Sequence, residues 1–482
     1  MAAHTVIELD VGPAAGPAPE PGLPPGWWRA FTVACLAVAC AAGLVAGDPL
    51  ATPRLKLVAT LDTPPMLSER VSGDMMFSIV SGRSSTLQAY RLSDGSLRWS
   101  IPLPVPDSAA SVDVAGPVER RPGPAPQASP AATVLVSSLD PSLKSDRTAA
   151  VDAATGRVLW RSPSYRASQI NAGSVALLFD SNMTDDGLSR RYHQVDVRTG
   201  RELWGYQVPG GWTTVLPDEP RGADTERHLV AVSPTGAARS VELATGREVA
   251  ATATDLGVPD PADTEAAGAE ALVVPNIVRQ EAAATAGPSL MVRDDVLLVG
   301  HVVDGRSVLT GYRVDRLTPL WTVTLRSPST LRVDGCGSLL CLAEGSDVRA
   351  LRPDTGAVVW TGTGLAGALG LVGRWLYMVT DLVAAYGYWT GPARLIDTGT
   401  GHTDLDLGSW RLLSQADQDG PALFELVDPD SGQVWLGELG DGPHVQPLGA
   451  VTDLPSGSCD ASTAYIVCET SGDQVRIWRY RA

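Results

Sequence analysis

The segments AAVDAATGRVLWRS (149–162) and HQVDVRTGRELWGY (193–206) share one pattern: an apolar strand, an Asp, a Thr-Gly turn and a second strand with Trp. Gly adopts the positive φ that a tight turn requires, and Asp and Thr side chains can bind the turn backbone. Each segment therefore predicts a β-hairpin. The matching residues are Asp152, Gly156 and Trp160 in the first hairpin and Asp196, Gly200 and Trp204 in the second.

Six further segments carry the pattern in full or in part. Successive turn glycines, where they are clearest, lie 44, 46 and 45 residues apart. A period near 45 is that of a four-stranded propeller blade. The segments are LQAYRLSDGSLRWSI (87–101), RSVELATGREVAAT (239–252), LTGYRVDRLTPLWTV (309–323), VRALRPDTGAVVWTG (348–362), RLIDTGTGHTDLDL (394–407) and VWLGELGDGPHVQPL (434–448).

Two more strands precede each hairpin, so that the hairpin supplies strands C and D of a blade. Before one hairpin, TLRVDGC (330–336) and LLCLAEG (339–345) form such a pair, which we interpret as running from outer to inner. RLKLVATL (54–61) has no strands before it, and 463–480 lacks a fourth strand, so pairing the two would close a ring and remove two exposed edges.

The fold predicted is therefore an all-β propeller after an N-terminal transmembrane helix. Counted literally, eight hairpins and the composite blade give nine blades. Because propellers typically have four to eight blades, we expect about eight, within a range of seven to nine. A Trp recurs at one position of the last strand, including Trp360 after Gly356. We expect it to wedge between blades, and stacking on a cofactor is the alternative.

The D-x-x-T-G-x-x-x-W pattern of 152–160 and 196–204 resembles the PQQ-like (quinoprotein) propeller repeat, over about residues 54–480. That family includes quinoprotein alcohol dehydrogenases and the non-enzymatic, BamB-like assembly factors. The high usage of Arg, Ala, Gly and Pro is typical of a bacterial protein. The resemblance implies PQQ and Ca²⁺ only for the dehydrogenase alternative. The enzymes resemble one another in an adjacent Cys-Cys pair, which this sequence lacks. Asp354 departs from the spacing, and Glu242 and Ala250 stand where Asp and Trp are expected.

Residues 1–28 are rich in Pro, Ala and Gly and predict a disordered cytosolic tail. Residues 30–46 carry no charge and follow two Trp, so we expect a transmembrane helix over 29–47. A cleaved signal peptide and a buried soluble helix remain alternatives. The propeller is then expected over 54–482, with loop insertions at 102–131 and 253–288.

Four cysteines form two local pairs, Cys336 with Cys341 and Cys459 with Cys468. Each pair has the separation of two facing positions in a short hairpin, so we expect two disulfides and an oxidising, extracytoplasmic compartment. Four buried free thiols or a zinc site are the alternatives, and no histidine lies near either pair.

Charge and motifs narrow the function. The chain has 37 Lys and Arg against 54 Asp and Glu, a net charge of −17, which argues against nucleic-acid binding. The six histidines form no metal motif, and the DQDG (417–420) and DPDSG (428–432) stretches are typical of Asx turns. No catalytic residues and no metal ligands are therefore assigned, and cofactor-binding residues are unknown. We expect a non-catalytic, membrane-anchored scaffold whose partner is another cell-envelope protein or a small ligand, and a PQQ-dependent dehydrogenase is the alternative.

Overall fold

The computed structural model describes most of the chain from Arg54 onward. The predicted tail 1–28 and transmembrane helix 29–47 lie outside the described residues. Within the described ranges, no helix is long and apolar enough to span a membrane. These ranges are 54–63, 66–81, 85–105, 110–115, 132–138, 147–171, 174–184, 187–216, 228–252, 256, 289–293, 295–303, 306–326, 331–344, 346–364, 367–379, 392–415, 422–428, 431–439, 444–455, 459–472 and 474–481.

In this part of the chain, 36 strands form nine antiparallel sheets of four strands each, the blades of a propeller. Within a blade the strands are called A to D in ladder order. Blade 1 comprises β2 Met66–Ser72, β3 Met75–Val80, β4 Thr86–Arg91 and β5 Leu97–Pro102, and blade 2 comprises β6 Ala110–Ala115, β7 Thr133–Ser138, β8 Thr148–Asp152 and β9 Val158–Ser162. Blade 3 comprises β10 Tyr165–Asn171, β11 Val175–Thr184, β12 Gly187–Asp196 and β13 Glu202–Val208, and blade 4 comprises β14 Thr213–Val215, β15 His228–Val232, β16 Ala238–Glu242 and β17 Glu248–Thr252.

The other blades follow the same order. Blade 5 comprises β18 Ser289–Arg293, β19 Val296–Val303, β20 Arg306–Arg313 and β21 Thr318–Thr324, and blade 6 comprises β22 Leu331–Cys336, β23 Leu339–Glu344, β24 Asp347–Leu351 and β25 Val358–Thr363. Blade 7 comprises β26 Gly367–Val372, β27 Trp375–Val379, β28 Ala393–Asp397 and β29 Thr403–Gly408, and blade 8 comprises β30 Arg411–Gln415, β31 Ala422–Val427, β32 Val434–Leu439 and β33 Val445–Val451. Blade 9 comprises β34 Cys459–Ala461, β35 Tyr465–Glu469 and β36 Gln474–Arg479, with β1 Lys56–Asp62 as its D strand.

The blade count of the described residues lies at the upper end of the predicted range. All eight hairpins recognised in the sequence are the C and D strands of blades 1 to 8. The literal count of nine was therefore right, and the reduction to about eight blades was not needed.

The ninth blade closes the ring as predicted. β1 pairs antiparallel with β36, from Lys56 opposite Arg479 to Asp62 opposite Gln474. The first described strand is thus the outermost strand of a blade whose other three strands come from the last residues of the chain. This pairing covers the edges that β1 and β36 would otherwise expose.

The A strands lie at the centre of the ring, which corrects the outer-to-inner order expected for 330–345. Neighbouring blades contact each other through these first strands, as in β2 with β6 and with β34. B strands such as β3 are almost wholly buried and C strands such as β4 are buried or half-buried, whereas D strands such as β5 are partly exposed at the rim. Both A and D strands are edges of their sheets, but the A strands converge on the axis and contact the A strands of neighbouring blades, as β2 contacts β6.

The apolar core is divided among the joints between blades. Nine buried clusters are found in the described residues, and each lies between two neighbouring blades. One cluster, for example, joins Met76 of blade 1 to Val467 and Ile477 of blade 9. Burial at each joint is the main stabilising term, at roughly 25 cal/mol per Å² of apolar surface.

The insertion expected at 102–131 contains a strand, which corrects that boundary. Pro102 ends β5, and 110–115 form β6, the A strand of blade 2, with Ala110, Val112 and Ala115 buried. The high proline content on both sides obscured this short apolar alternation. Residues 116–131 lie outside the described residues, as does the insertion 253–288 except for the buried Leu256.

Candidate functional site: the blade joints and the channel wall

Trp160 on strand D of blade 2 packs on the turn glycine of blade 3. A Cβ atom on Gly200 would lie 2.7 Å from Trp160 Cγ, and this glycine has φ +69°. Trp160 Nε1 donates a hydrogen bond to the Val197 carbonyl at 2.7 Å. The Trp side chain therefore fills the joint, and its polar edge is bound to the next blade.

The same joint recurs around the ring. In each case the indole ring lies on the next turn glycine, and Nε1 donates to the carbonyl three residues before that glycine. These indoles serve the blade joints, so they offer no support for cofactor stacking. The remaining sets are Trp99 with Gly156 and Ala153, Trp204 with Gly246 and Leu243, Trp321 with Gly356 and Pro353, and Trp360 with Gly401 and Thr398.

The Asp of the repeat holds its own turn. Asp152 Oδ1 accepts hydrogen bonds from the Thr155 amide at 3.0 Å and hydroxyl at 2.8 Å. Asp196 binds Thr199 in the same way, and the hydrogen bond from the Thr199 hydroxyl holds the pKa of Asp196 below its ordinary value. These carboxylates are structural acceptors rather than candidates for acid–base chemistry.

The joint between blades 4 and 5 is built differently. Ala250 stands at the Trp position of blade 4, and Leu317 stands at the glycine position of blade 5, where its amide donates to the Arg313 carbonyl at 2.7 Å. Leu317 keeps the left-handed turn, with φ 53°, and is buried in the cluster against which Ala250 packs. A larger turn residue thus compensates for the missing indole ring.

Both cysteine pairs are joined as disulfides. Cys459 and Cys468 face each other in the ladder of β34 and β35, with Cα atoms 4.0 Å apart. Cys336 and Cys341 flank the turn between β22 and β23, with Cα atoms 5.8 Å apart. This second pair does not occupy facing positions, because Cys336 is opposite Leu339, so the expected geometry was wrong there and the cysteines are diagonal neighbours.

Charged and polar side chains gather on the channel wall where blades 9, 1 and 2 meet. The Val71 amide of β2 donates to Asp460 Oδ2 of β34 at 2.9 Å. On the other side of β2, the Val112 amide donates to the Ser68 hydroxyl at 3.2 Å. Because A strands of different blades share no ladder, these side chains supply the hydrogen bonds between them.

Glu69 of β2 lies at the centre of this wall. Its Oε2 is buried and has no hydrogen-bond partner among the described residues. Burial, together with the nearby carboxylates of Asp460 and Glu469, raises the pKa of Glu69 to about 8. A carboxyl group in this setting is neutral over most of the physiological pH range.

Both ends of the propeller sequence bind one carboxylate in blade 8. Glu438 Oε1 accepts from Arg54 Nη1 at 3.1 Å, and Glu438 Oε2 accepts from Arg481 Nη2 at 2.9 Å. The Arg54 amide also donates to the Leu448 carbonyl at 2.9 Å. Glu438 is buried, and these contacts fix the first described residues on the ring beside β1.

The features that the resemblance associates with PQQ and Ca²⁺ are not found among the described residues. The adjacent cysteine pair of the quinoprotein dehydrogenases is absent from the sequence, and the four described cysteines form the two disulfides. No group of three or more His, Cys, Asp or Glu in the described part of the chain is arranged to hold a metal ion. Asp428 accepts from the Ser431 hydroxyl within its own turn, whereas 416–421 lie outside the described residues.

Sequence reasoning missed the channel wall. The first strands carry no repeated motif, so nothing in the sequence places Glu69 near Asp460. The one available signal is the charged pair Glu69-Arg70 inside a strand whose neighbours are otherwise apolar or small. The pairing of blade 9 with blade 1 was needed to bring these residues together.

Comparisons with known proteins agree with this architecture. A sequence model described as outer membrane protein assembly factor BamB matches residues 83–259 and 144–369, which together span more than half of the chain. Curated protein sequences give no match.

Two of the solved structures that this chain resembles illustrate the likeness, both at low identity. BamB from Moraxella catarrhalis is 13% identical, with 88% of this chain and 99% of that chain covered and a TM-score of 0.36. A quinohemoprotein alcohol dehydrogenase from Pseudomonas putida HK5 is 11% identical, with 68% and 72% covered and a TM-score of 0.34. Because these likenesses are distant, the assignment depends on the sequence match and the repeat residues. The chain belongs to the BamB-type family of PQQ-like repeat propellers.

Proposed function

We propose that the protein is a non-catalytic scaffold: a propeller anchored in the cell membrane by residues 29–47 that binds another cell-envelope protein or a small ligand outside the cytoplasm. The observation that carries the proposal is the use of the repeat residues. The Trp, Gly and Asp residues that define the family pattern serve joints and turns, as Trp160 and Gly200 do. Function is then left to the loops and the channel wall.

Two features support an extracytoplasmic site. The disulfides Cys336–Cys341 and Cys459–Cys468 are of the kind that persists in oxidising compartments. The uncharged run 30–46 has the length and the flanking Trp of a single span.

Crosslinking in intact cells tests the scaffold proposal. A photoreactive amino acid is placed at Ser346, an exposed turn between strands B and C, and in a matched variant at Ala244, an exposed turn between strands C and D at the other end of the ring. We expect one envelope protein to be captured repeatedly from one of the two positions. Capture of no defined species from either position contradicts a protein partner.

The dehydrogenase alternative has a separate test. The purified protein is incubated with PQQ and Ca²⁺, and dye reduction is followed with a panel of alcohols and sugars. We expect no reduction above that of the same protein incubated with Ca²⁺ but without PQQ. Saturable, PQQ-dependent reduction with any substrate would overturn the non-catalytic proposal.

A further inference from the structure

The turn between strands B and C of blade 8 has the hydrogen bonds and the left-handed glycine of the turns that bind indole rings. It comprises 428–433, with the sequence DPDSGQ, of which 429–430 lie outside the described residues. Gly432 has φ +67° and donates its amide to the Asp428 carbonyl at 2.9 Å. The Ser431 hydroxyl donates to the Asp428 carboxylate, as the Thr hydroxyl does in the repeat turns. The turn motif of the C–D hairpins is therefore also present at a B–C position.

The C–D turn of blade 6 shows what such a turn binds. Its residues 353–356 read PDTG, and residues 429–432 read PDSG. Gly356 also has φ +67°, and its amide donates to the Arg352 carbonyl at 2.8 Å. Because glycine has no Cβ, its peptide face is open to a flat ring, and Trp321 of blade 5 occupies that face.

The glycine of the blade 8 turn is bare. Among the described residues, seven glycines donate their amide to the carbonyl four residues before them, and the D strand of the preceding blade covers six of these. Five meet an indole ring, and Gly95 meets Ala59, whose Cβ would lie 2.4 Å from a Cβ on that glycine. No described atom lies within 4 Å of a Cβ built on Gly432. The seven are Gly95, Gly156, Gly200, Gly246, Gly356, Gly401 and Gly432.

The apolar residue beside this glycine is also uncovered. Val427 precedes Asp428 and pairs with Val434, as Val195 precedes its turn and pairs with Glu202. At the five Trp joints the residue in this position is at most 5% exposed and belongs to the cluster that contains the indole ring. Val427, in contrast, is 38% exposed. The five covered residues are Val151, Val195, Val241, Leu351 and Ile396.

The topology explains why no D-strand Trp reaches this turn. Each recurring Trp lies four residues after a turn glycine, near the start of its D strand, as Trp160 follows Gly156. These residues therefore lie beside the C–D turns, whereas B–C turns such as 428–433 are at the other end of the ring. The blade repeat provides an indole for each Trp joint but none for Gly432.

From the bare Gly432 and the exposed Val427, we infer that this turn is a docking site for a tryptophan side chain of a partner protein. The turn sequence contains two carboxylates and no basic residue, so a Trp flanked by Lys or Arg is the complementary partner segment. The inference rests on the proposed scaffold function, because it describes the protein partner that a scaffold requires.

Peptide binding to the purified full chain tests the site. The probe is the capped tripeptide Lys-Trp-Lys, and saturation-transfer NMR measures its dissociation constant and the contact of its indole protons. One exposed anchor binds weakly, so we expect a dissociation constant on the order of 1 mM. The capped Lys-Ala-Lys peptide should bind at least about tenfold more weakly, because it lacks the aromatic anchor.

Two variants locate the binding on the turn. G432A should weaken the Trp peptide at least about fivefold, because a Cβ at this kind of glycine occupies the place of the indole ring. V427S removes the exposed apolar contact without changing the backbone and should weaken it similarly. The matched control is G472A in the B–C turn of blade 9, since Gly472 is also bare but has no positive φ. This variant should bind as the parent does.

Equal binding of the Trp and Ala peptides, or unchanged binding in both G432A and V427S, overturns the inference. Binding that appears only in W389A would show that the connection 380–391, which lies outside the described residues, supplies the indole, and it would overturn the assignment to a partner. A dimer that dissociates in G432A would assign the site to a second copy of the chain and overturn it too. Failure of peptide binding leaves the scaffold proposal standing, since that proposal is contradicted only when crosslinking in cells captures no defined species.

Discussion

Leu317 fills the space at the joint of blades 4 and 5 that an indole ring takes at other joints, because Ala250 stands at the Trp position. Leu317 is buried and holds φ 53°, and Ala250 packs against its cluster. The five Trp joints pair a large D-strand residue with a turn glycine, whereas this joint pairs a small D-strand residue with a large turn residue. Joint volume is therefore kept although the residues that supply it change.

This relationship predicts coupling between the two positions. A250W alone should be overpacked against Leu317 and cost about 1–3 kcal/mol of unfolding free energy. L317G alone should lose buried surface and cost about 2 kcal/mol or more. The A250W/L317G variant rebuilds the Trp–Gly joint. Its loss of unfolding free energy should be smaller than the sum of the two single-variant losses by at least about 1 kcal/mol. Denaturant unfolding measures each value, with A251W on the exposed side of β17 as the control. Strict additivity would show that the two residues do not share the joint.

The Trp joint also predicts a difference between two glycines with nearly the same backbone. Gly200 and Gly432 have φ +69° and +67°, but only at Gly200 would a Cβ meet Trp160, at 2.7 Å, since nothing lies within 4 Å of Gly432. Both alanine variants should lose about 1 kcal/mol of unfolding free energy, because alanine is strained in the left-handed backbone conformation. G200A should cost about 2 kcal/mol more. Thermal or denaturant unfolding of both variants gives the comparison, and equal losses would mean that the indole ring yields to the new methyl group.

Glu69 predicts a pH dependence of stability. Its pKa is raised to about 8 in the folded protein by burial, then by Asp460 and Glu469, against 4.5 for the ordinary side chain. The protonated Glu69 carboxyl therefore makes its full contribution to the unfolding free energy below about pH 4.5, and this contribution is lost as the pH rises through about 8. Unfolding free energies measured between pH 5 and pH 9 should fall less for E69Q than for the parent, by about 3 kcal/mol.

The matched control for Glu69 is D354N, at an exposed turn. This variant should follow the parent across the same pH range. If E69Q and D354N show the same slope, then Glu69 ionises without cost and the channel wall is more hydrated than its buried Oε2 indicates.

Ring closure predicts that β1, although only seven residues long, contributes strongly to the stability of the propeller. Deleting 54–61 should remove the outer strand of blade 9 and its pairing with β36, leaving that sheet with three strands. Deleting 1–52 retains β1 and serves as the control. The first deletion should lower the unfolding free energy by about 3 kcal/mol or more relative to the second. Equal thermal midpoints for the two proteins would contradict closure through β1.

The sequence by itself determined the repeating parts of this protein. The turn glycines, the Asp that caps them and the Trp that follows are local or periodic signals, because a left-handed turn and a wedge position recur at a fixed distance along the chain. The same periodicity led to the hairpins of Trp160 and Trp204, and the incomplete last repeat led to closure by β1. Facing cysteines in one hairpin, Cys459 and Cys468, were also readable from spacing.

Only the tertiary structure decided what lies between repeats. Glu69 lies near enough to Asp460 for their carboxylates to interact because the last blade closes beside the first, and no local pattern encodes this interaction between residues 391 positions apart. The replacement of Trp and Gly by Ala250 and Leu317 likewise becomes clear only when neighbouring blades are packed. In the sequence each residue is simply a departure from the repeat pattern. The physical reason is that joint volume and channel charge depend on two blades at once, whereas turns and strands depend on one.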